Sequence, residues 1–226
     1  MEKTGEGRAG SCVRMSNRFR SIAAAAFLAA ALAGCSAVGL QSPQVAFYDL
    51  GLADAVAVPA ALAPVRVDVV APSWLGSSAM QYRLAWKQPD RRRNYVESRW
   101  VAPPADMLAQ SLGRALRAGD DGGNGAASRC RLRLELDEFI QVFETEQRNH
   151  VRLVVRAQLL PPRGVLPLAA HEFSRDDAAG TPDAEGGVAA ARAAVRGLTA
   201  DLAGWLGALD RRTAQGLNRA GSCLPA

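Results

Sequence analysis

RLRLELDEFIQVF at residues 131–143 and, after a short polar gap, VRLVVRAQL at residues 151–159 are the stretches that decide the fold. In the first, Leu132, Leu134 and Leu136 alternate with Arg131, Arg133, Glu135 and Asp137. Period-two alternation of this kind marks a strand with one buried face. The phase breaks near Glu138, because Phe139 and Phe143 continue on the other parity, and one extra residue predicts a bulge or bend there. In the second stretch Val151, Leu153, Val155, Ala157 and Leu159 keep a single phase. The polar residues Gln147, Arg148 and Asn149 between the two predict an antiparallel hairpin.

Working outward toward the N-terminus, residues 120–125 (DDGGNG) form a flexible loop. Before it, Pro103 and Pro104 open a helix whose apolar positions Leu108, Leu112, Ala115 and Leu116 recur at helical spacing as far as Gly119. Earlier still, Tyr82, Leu84 and Trp86 predict a strand before a turn at Pro89 and Asp90, and Val65, Val67 and Val69 predict another that closes at Pro72. Toward the C-terminus, Pro161, Pro162, Arg163 and Gly164 make a turn, and Leu168, Ala170 and Phe173 predict one more strand. Thr181, Pro182, Asp183 and Glu185 then start a long helix, with Val188, Ala191, Val195, Leu198, Leu202, Trp205 and Leu209 on one stripe. The expected architecture is a single α/β domain: a mixed, mostly antiparallel sheet with two amphipathic helices packed on it.

The first 34 residues have a different character. Arg14, Arg18 and Arg20 precede an uncharged run from Ile22 to Ala33, the layout of a signal peptide. At about 1.5 Å per helical residue that run covers roughly 18 Å, short of the ~30 Å hydrocarbon core. Leu32, Ala33, Gly34 and Cys35 resemble the lipobox of bacterial lipoproteins. That resemblance implies cleavage before Cys35, a diacylglyceryl group on its sulfur and an acyl chain on its amine. An ordinary secretory leader with an incidental cysteine is the competing reading. Met15 opens a more typical leader than Met1 and is a second candidate start. The expected organisation is a signal peptide at 1–34, a lipidated tether at 35–46, a domain at 47–210 and a tail at 211–226. Ser36 stands where aspartate signals inner-membrane retention in enterobacteria, which favours the periplasmic face of the outer membrane.

Removing 34 of the 226 residues leaves 192, enough for one domain with a proper core. It also leaves 22 basic against 20 acidic residues, so the basic balance of the whole chain belongs largely to the leader and gives no argument for nucleic-acid binding. Cys130 and Cys223 are disulfide candidates in an oxidising compartment, against the alternative of two isolated thiols. No third or fourth ligand stands at metal spacing, and no cofactor motif occurs. His150 and His171 read as surface or edge residues. Asp137 and Glu138 are adjacent, which in a regular strand sends their carboxylates to opposite faces. No catalytic constellation emerges, and the expectation is a chain that is not an enzyme.

The order of features resembles the auxiliary lipoproteins of ABC-type transport systems, the family that includes paraquat-inducible protein C and accompanies MCE-type lipid transporters. The residues that carry the likeness are Tyr48 and Leu50, the valine strand ending at Pro72 and Leu75, and Tyr82 with Arg83. Arg99, Trp100, Pro103 and Pro104 follow, then Leu134, Leu136 and Phe139, and the alanine-rich last helix as far as Trp205 and Leu206. The resemblance implies a non-catalytic lipoprotein that meets a periplasmic MCE-domain protein and, through it, an ABC permease and ATPase, and that helps phospholipid or another hydrophobic substrate pass between membranes. A homo-oligomer is compatible with that role. A lipoprotein regulator of a cell-wall synthase or another envelope enzyme is the competing class.

Two groups are candidate contacts. Arg91, Arg92 and Arg93, beside Lys87, form either a solvated basic turn or a contact for acidic lipid head groups or a partner. Trp74 and Leu75 form either an exposed apolar tip or part of the core.

Overall fold

The computed structural model describes residues 44–59, 61–116, 128–211 and 222–223. The expected signal peptide, Met15, Cys35, most of the tether, the loop at 120–125 and most of the tail lie outside the described residues. The described elements are strands β1 (Ala46–Tyr48), β2 (Arg66–Val70), β3 (Ala79–Leu84), β4 (Gln88–Trp100), β5 (Arg131–Phe143), β6 (Asn149–Leu160) and β7 (Ala169–Ala178), with helices α1 (Pro104–Ala115) and α2 (Ala184–Arg211). A single turn of 3-10 helix covers Ser73–Leu75.

The seven strands form one mixed sheet in the order β1-β4-β3-β5-β6-β7, with β2 also paired to β5. The long pairings, β3 with β4 and β5 with β6 and β7 in succession, are antiparallel. β1 runs parallel to β4, and both β2 and β3 run parallel to β5. β2 occupies the first part of one edge of β5, at Arg131 to Glu135, and β3 the last part, at Gln141 to Phe143. The 3-10 turn lies in the connection between them and sends Leu75 into the core.

The phase break in β5 is a bulge. Leu136 pairs with Val155, but Glu138 pairs with Val154, so Asp137 is the extra residue. Before the bulge the even positions Leu132, Leu134 and Leu136 face inward; after it the odd positions Phe139, Gln141 and Phe143 do. They meet the uninterrupted odd positions of β6 from Leu159 back to Asn149. The bulge also puts Asp137 and Glu138 on the same, outward face: Asp137 bonds Arg156 and Glu138 bonds Arg83 and Arg92, so the opposite-face expectation for these two carboxylates does not hold.

The sequence pattern announced neither the short β1, which begins inside the expected tether, nor β4. The QPDRRRNYVESRW sequence of β4 lacks alternation, and Pro89 and Asp90 belong to its first residues, while the turn falls at 85–87. Its pairing with β3 slips between Ala79 and Gln81 and again between Arg83 and Leu84, and only Ser98 and Trp100 are buried along it.

Both helices share the inward face of the sheet. Leu108, Leu112, Ala115 and Leu116 of the first helix and its cap are wholly buried, as are Ala194, Leu198, Leu202 and Leu206 of α2. They join Leu132, Leu134, Leu153 and Leu159 in one cluster. The irregular segment at residues 49–59 lies against this layer: Ala53 N–H donates to Ser111 Oγ at 3.0 Å, Val56 N–H to the Ala115 carbonyl at 3.2 Å, and Arg192 reaches Asp49 at 3.2 Å.

A buried polar cluster fixes the start of α2. Gln141 Nε2 donates to Asn149 Oδ1 at 2.6 Å and to the Asp183 carbonyl at 3.0 Å, while Gln141 Oε1 accepts from the Tyr95 hydroxyl at 3.0 Å. Burial pushes the Tyr95 phenol well above its ordinary value, which keeps it a donor. Gly187 is required here, because a Cβ on it would overlap the Gln141 amide. Asp183 caps the helix by accepting from Gly186 N–H at 2.8 Å, with a second bond from Thr181 Oγ1 at 2.8 Å.

Cys130 and Cys223 form a disulfide with a Cα–Cα distance of 4.9 Å across a sequence separation of 93. In the chain-entropy picture a loop of this size contributes about 4–5 kcal/mol. C130S/C223S is expected to lower the unfolding free energy by up to that amount in oxidising buffer, and reductant to bring the parent protein down to the variant. Equal melting temperatures in oxidising buffer would overturn the bond's role.

The Gly186 amide holds the Asp183 carboxyl below its ordinary value of 3.8. Its contribution to stability is therefore complete above that value and is lost as pH falls through the lowered one. An acid titration of melting temperature is expected to show a shallower acid limb for Asp183→Asn, which keeps a capping oxygen. Asp183→Ala is expected to cost about 1 kcal/mol already at neutral pH.

Candidate functional site

The helices cover one face of the sheet, and the other face is lined with charge. Outward positions on β5, β6 and β7 carry Glu135, Asp137, Glu138, Arg152, Arg156 and Asp176, and these neutralise one another across strands. Arg156 holds Asp137 through two bonds of 2.6 and 2.9 Å and reaches Glu135 at 2.9 Å. Arg152 holds Asp176 through bonds of 2.8 and 2.9 Å. Glu138 is shared by Arg83, at 3.1 Å, and Arg92. The hydrogen bonds from Arg156 hold Asp137 below the usual carboxylate range, and those from Arg152 do the same for Asp176. Such groups stay ionised and paired near neutral pH, which does not suit them to general acid or base work.

His150 lies between Glu144, at 3.7 Å, and Asp176, at 3.3 Å, on this charged face. His171 stacks on Trp205, with ring centroids 6.3 Å apart, and meets Phe173 edge-on. Neither histidine belongs to a group that could hold a metal ion, and no such group occurs among the described residues.

The structure separates the candidate contacts. Trp74 is 55% exposed and Leu75 only 2%, so one indole stands at the surface and its neighbour packs the core. The three arginines divide by strand alternation. Arg92 points to the charged face, where it bonds Glu138 and, at 3.1 Å, Gln81. Arg91 and Arg93 meet Gln88 at 3.5 and 2.6 Å. Arg91 is exposed at the tip of the β3–β4 hairpin, where Trp86 is also exposed and Lys87 Nζ stands 5.7 Å above its ring. That tip is a basic and aromatic projection built from Trp86, Lys87 and Arg91.

Sequence reasoning missed three features. Glu138 anchors two arginines from other strands, which no local pattern encodes. Gln141, Asn149 and Tyr95 converge only because the bulge puts Gln141 on the inward face. Val165 and Leu166 are 86% and 80% exposed in the β6–β7 connection; two aliphatic residues confined between Pro162 and Pro167 were the available signal.

Beneath α2, between Met80, Phe139, Gln141, Val151 and Ala191, lies a cavity of about 20 Å³, room for about one water. An acyl chain needs many times that space. An open surface groove of about 330 Å³ lies between Leu50, Leu52, Val101 and Met107.

Arg92→Gln is expected to leave the half-buried Glu138 short of a partner and to cost about 1–2 kcal/mol, read as a lower melting temperature. Arg91→Gln at the exposed tip is expected to change it by less than about 0.5 kcal/mol. Equal effects would contradict the division of the arginines.

Comparison with known proteins agrees with this architecture. A family described as ABC-type transport auxiliary lipoprotein component matches residues 48–203, from the end of β1 well into α2. Among solved structures, protein XCC0632 from Xanthomonas campestris, of family DUF330, superposes with a TM-score of 0.61 at 19% identity, covering 74% of this chain and 100% of that one. A second crystal structure, of an uncharacterized protein, gives 0.53 at 15% identity, covering 71% of this chain and 97% of that one. Both show a shared fold. No curated protein matches the chain significantly. With the family pattern spanning strands β2 to β7 and most of the last helix, the chain belongs to the ABC-type transport auxiliary lipoprotein component family.

Proposed function

We propose that this protein is a non-catalytic partner in an MCE-type ABC transport system, anchored through acyl chains on Cys35 to the periplasmic face of the outer membrane. In this reading it docks on a periplasmic MCE-domain protein that an ABC permease and ATPase serve, and phospholipid or another hydrophobic substrate passes between the membranes. The family match carries the transport assignment. The lipobox-like Leu32 to Cys35 supports the anchor, and the eleven residues from Ser36 to Ala46 give a tether of at most about 36 Å.

The interior supports a docking role over a carrier role. The space beneath α2 is too small for an acyl chain, which supports a reading in which the substrate is carried by the partner. The hairpin tip of Trp86, Lys87 and Arg91 is the surface we assign to the partner: aromatic and arginine side chains are the groups that protein interfaces favour.

A photo-crosslinking residue replacing Trp86, in cells carrying the full-length protein, is expected to capture an MCE-domain protein. Capture of a cell-wall synthase would replace transport by envelope-enzyme regulation. In the same cells Cys35→Ala is expected to abolish acyl labelling and to release the protein from the outer-membrane fraction, and retained labelling would overturn the anchor.

A further inference from the structure

The loop that joins β6 to β7 projects from the end of the sheet opposite the β3–β4 hairpin tip. Arg131 pairs with Leu160 at this end, while Phe143 pairs with Leu84 and Asn149 at the other. Over thirteen residues of β5 the two ends are about 40 Å apart.

The loop reads PPRGVLPL at residues 161–168 and contains no acidic residue. Its conformation is set: prolines stand on both sides, Gly164 adopts φ 114°, Arg131 Nη2 donates to the Gly164 carbonyl at 3.3 Å, and Leu168 N–H closes on the Leu159 carbonyl at 2.8 Å. This held backbone presents Val165 and Leu166 to solvent. Val65, also exposed, bonds through its N–H to the Cys130 carbonyl at the same end.

The charge around this tip contrasts with the open face of the sheet. There Arg133, Arg152 and Arg156 are each matched to a carboxylate. At this end Arg129, Arg131 and Arg163 have no carboxylate within 4 Å among the described residues. The nearby carboxylate of Asp68 is already held by Arg66. Aliphatic side chains at the apex with unmatched arginines behind them fit a surface that is apolar within and anionic at its boundary.

We propose that the β6–β7 loop is a bilayer-contact tip, with Val165 and Leu166 entering the acyl region and Arg129, Arg131 and Arg163 meeting anionic phospholipid head groups. The inference rests on the Cys35 anchor for bringing the tip to a membrane. Reach permits it: β1 joins the sheet near the level of Glu138, about 23 Å along β5 from Arg131, and the tether contour is about 36 Å. The domain then stands end-on, with the loop at the bilayer and the hairpin tip turned toward the periplasmic partner.

The test uses the full mature acylated protein in phosphatidylcholine vesicles with and without phosphatidylglycerol. Leu166→Trp adds an indole whose emission is compared with that of the parent protein, and lipids brominated on their acyl chains report contact. The expected result is an added emission shifted to shorter wavelength and quenched roughly two-fold in phosphatidylglycerol vesicles, with weaker quenching when Arg163→Glu is combined. Protein that stays with the vesicles and shows no such quenching overturns the tip and leaves the anchor standing.

Mature protein found without acyl chains overturns the anchor instead. The tip is then read from salt-sensitive co-sedimentation of that protein with phosphatidylglycerol vesicles, expected to be lost in V165S/L166S and overturned if retained. A photo-crosslinker at position 166 that captures a protein and no lipid in cells also overturns the proposal.

Discussion

The pairing of β5 with β6 is the constraint on which the rest of the structure depends, and Asp137 makes that pairing possible over its full length. Side chains alternate strictly along a strand, so a β5 without an extra residue would face Leu132, Leu134 and Leu136 inward and then turn Phe139, Gln141 and Phe143 to solvent. The bulge shifts the phase once, and β6, which keeps one phase from Asn149 to Leu159, is matched throughout. β2 and β3 then share the opposite edge of β5, β7 extends β6, and α2 lies across the common inward face.

The same phase shift buries a polar amide at Gln141. An amide buried without partners costs several kcal/mol, and here both ends of the group are bonded, to Asn149, Tyr95 and the backbone at Asp183. The cluster ties three strands to the first turn of α2 at a point where apolar packing alone would allow the helix to slide. Gly187 lets the helix backbone approach that amide closely, and a side chain there would have to displace either the bonded Gln141 amide or the helix.

Charge is distributed in the same architectural terms. On the open face, antiparallel neighbours set arginines across from carboxylates, and that surface is electrostatically satisfied. Among the described residues, arginines without a carboxylate partner gather at two strand ends, Arg129, Arg131 and Arg163 by the β6–β7 loop and Arg91 and Arg93 by the β3–β4 hairpin. Both ends also expose apolar or aromatic side chains. The two ends are where the proposed bilayer tip and partner surface lie.

Sequence alone determined what local periodicity can encode. The bulged strand, its hairpin partner and both helices were legible because each buries a continuous stripe, and proline, Asp183 and the leucine spacing mark the helix starts. β4 was not legible: its slipped pairing leaves few inward side chains, so RRRNYVES shows no alternation. The burial of Leu75 was equally hidden, because it depends on the gap that β2 and β3 leave along β5. The sharing of Glu138 by Arg83 and Arg92, the union of Gln141 with Tyr95 and Gly187, and the gathering of Arg129, Arg131 and Arg163 behind Val165 and Leu166 were decided only by the tertiary structure. They join residues tens of positions apart, and sequence patterns carry information about a residue's own face but not about which distant strand will lie beside it.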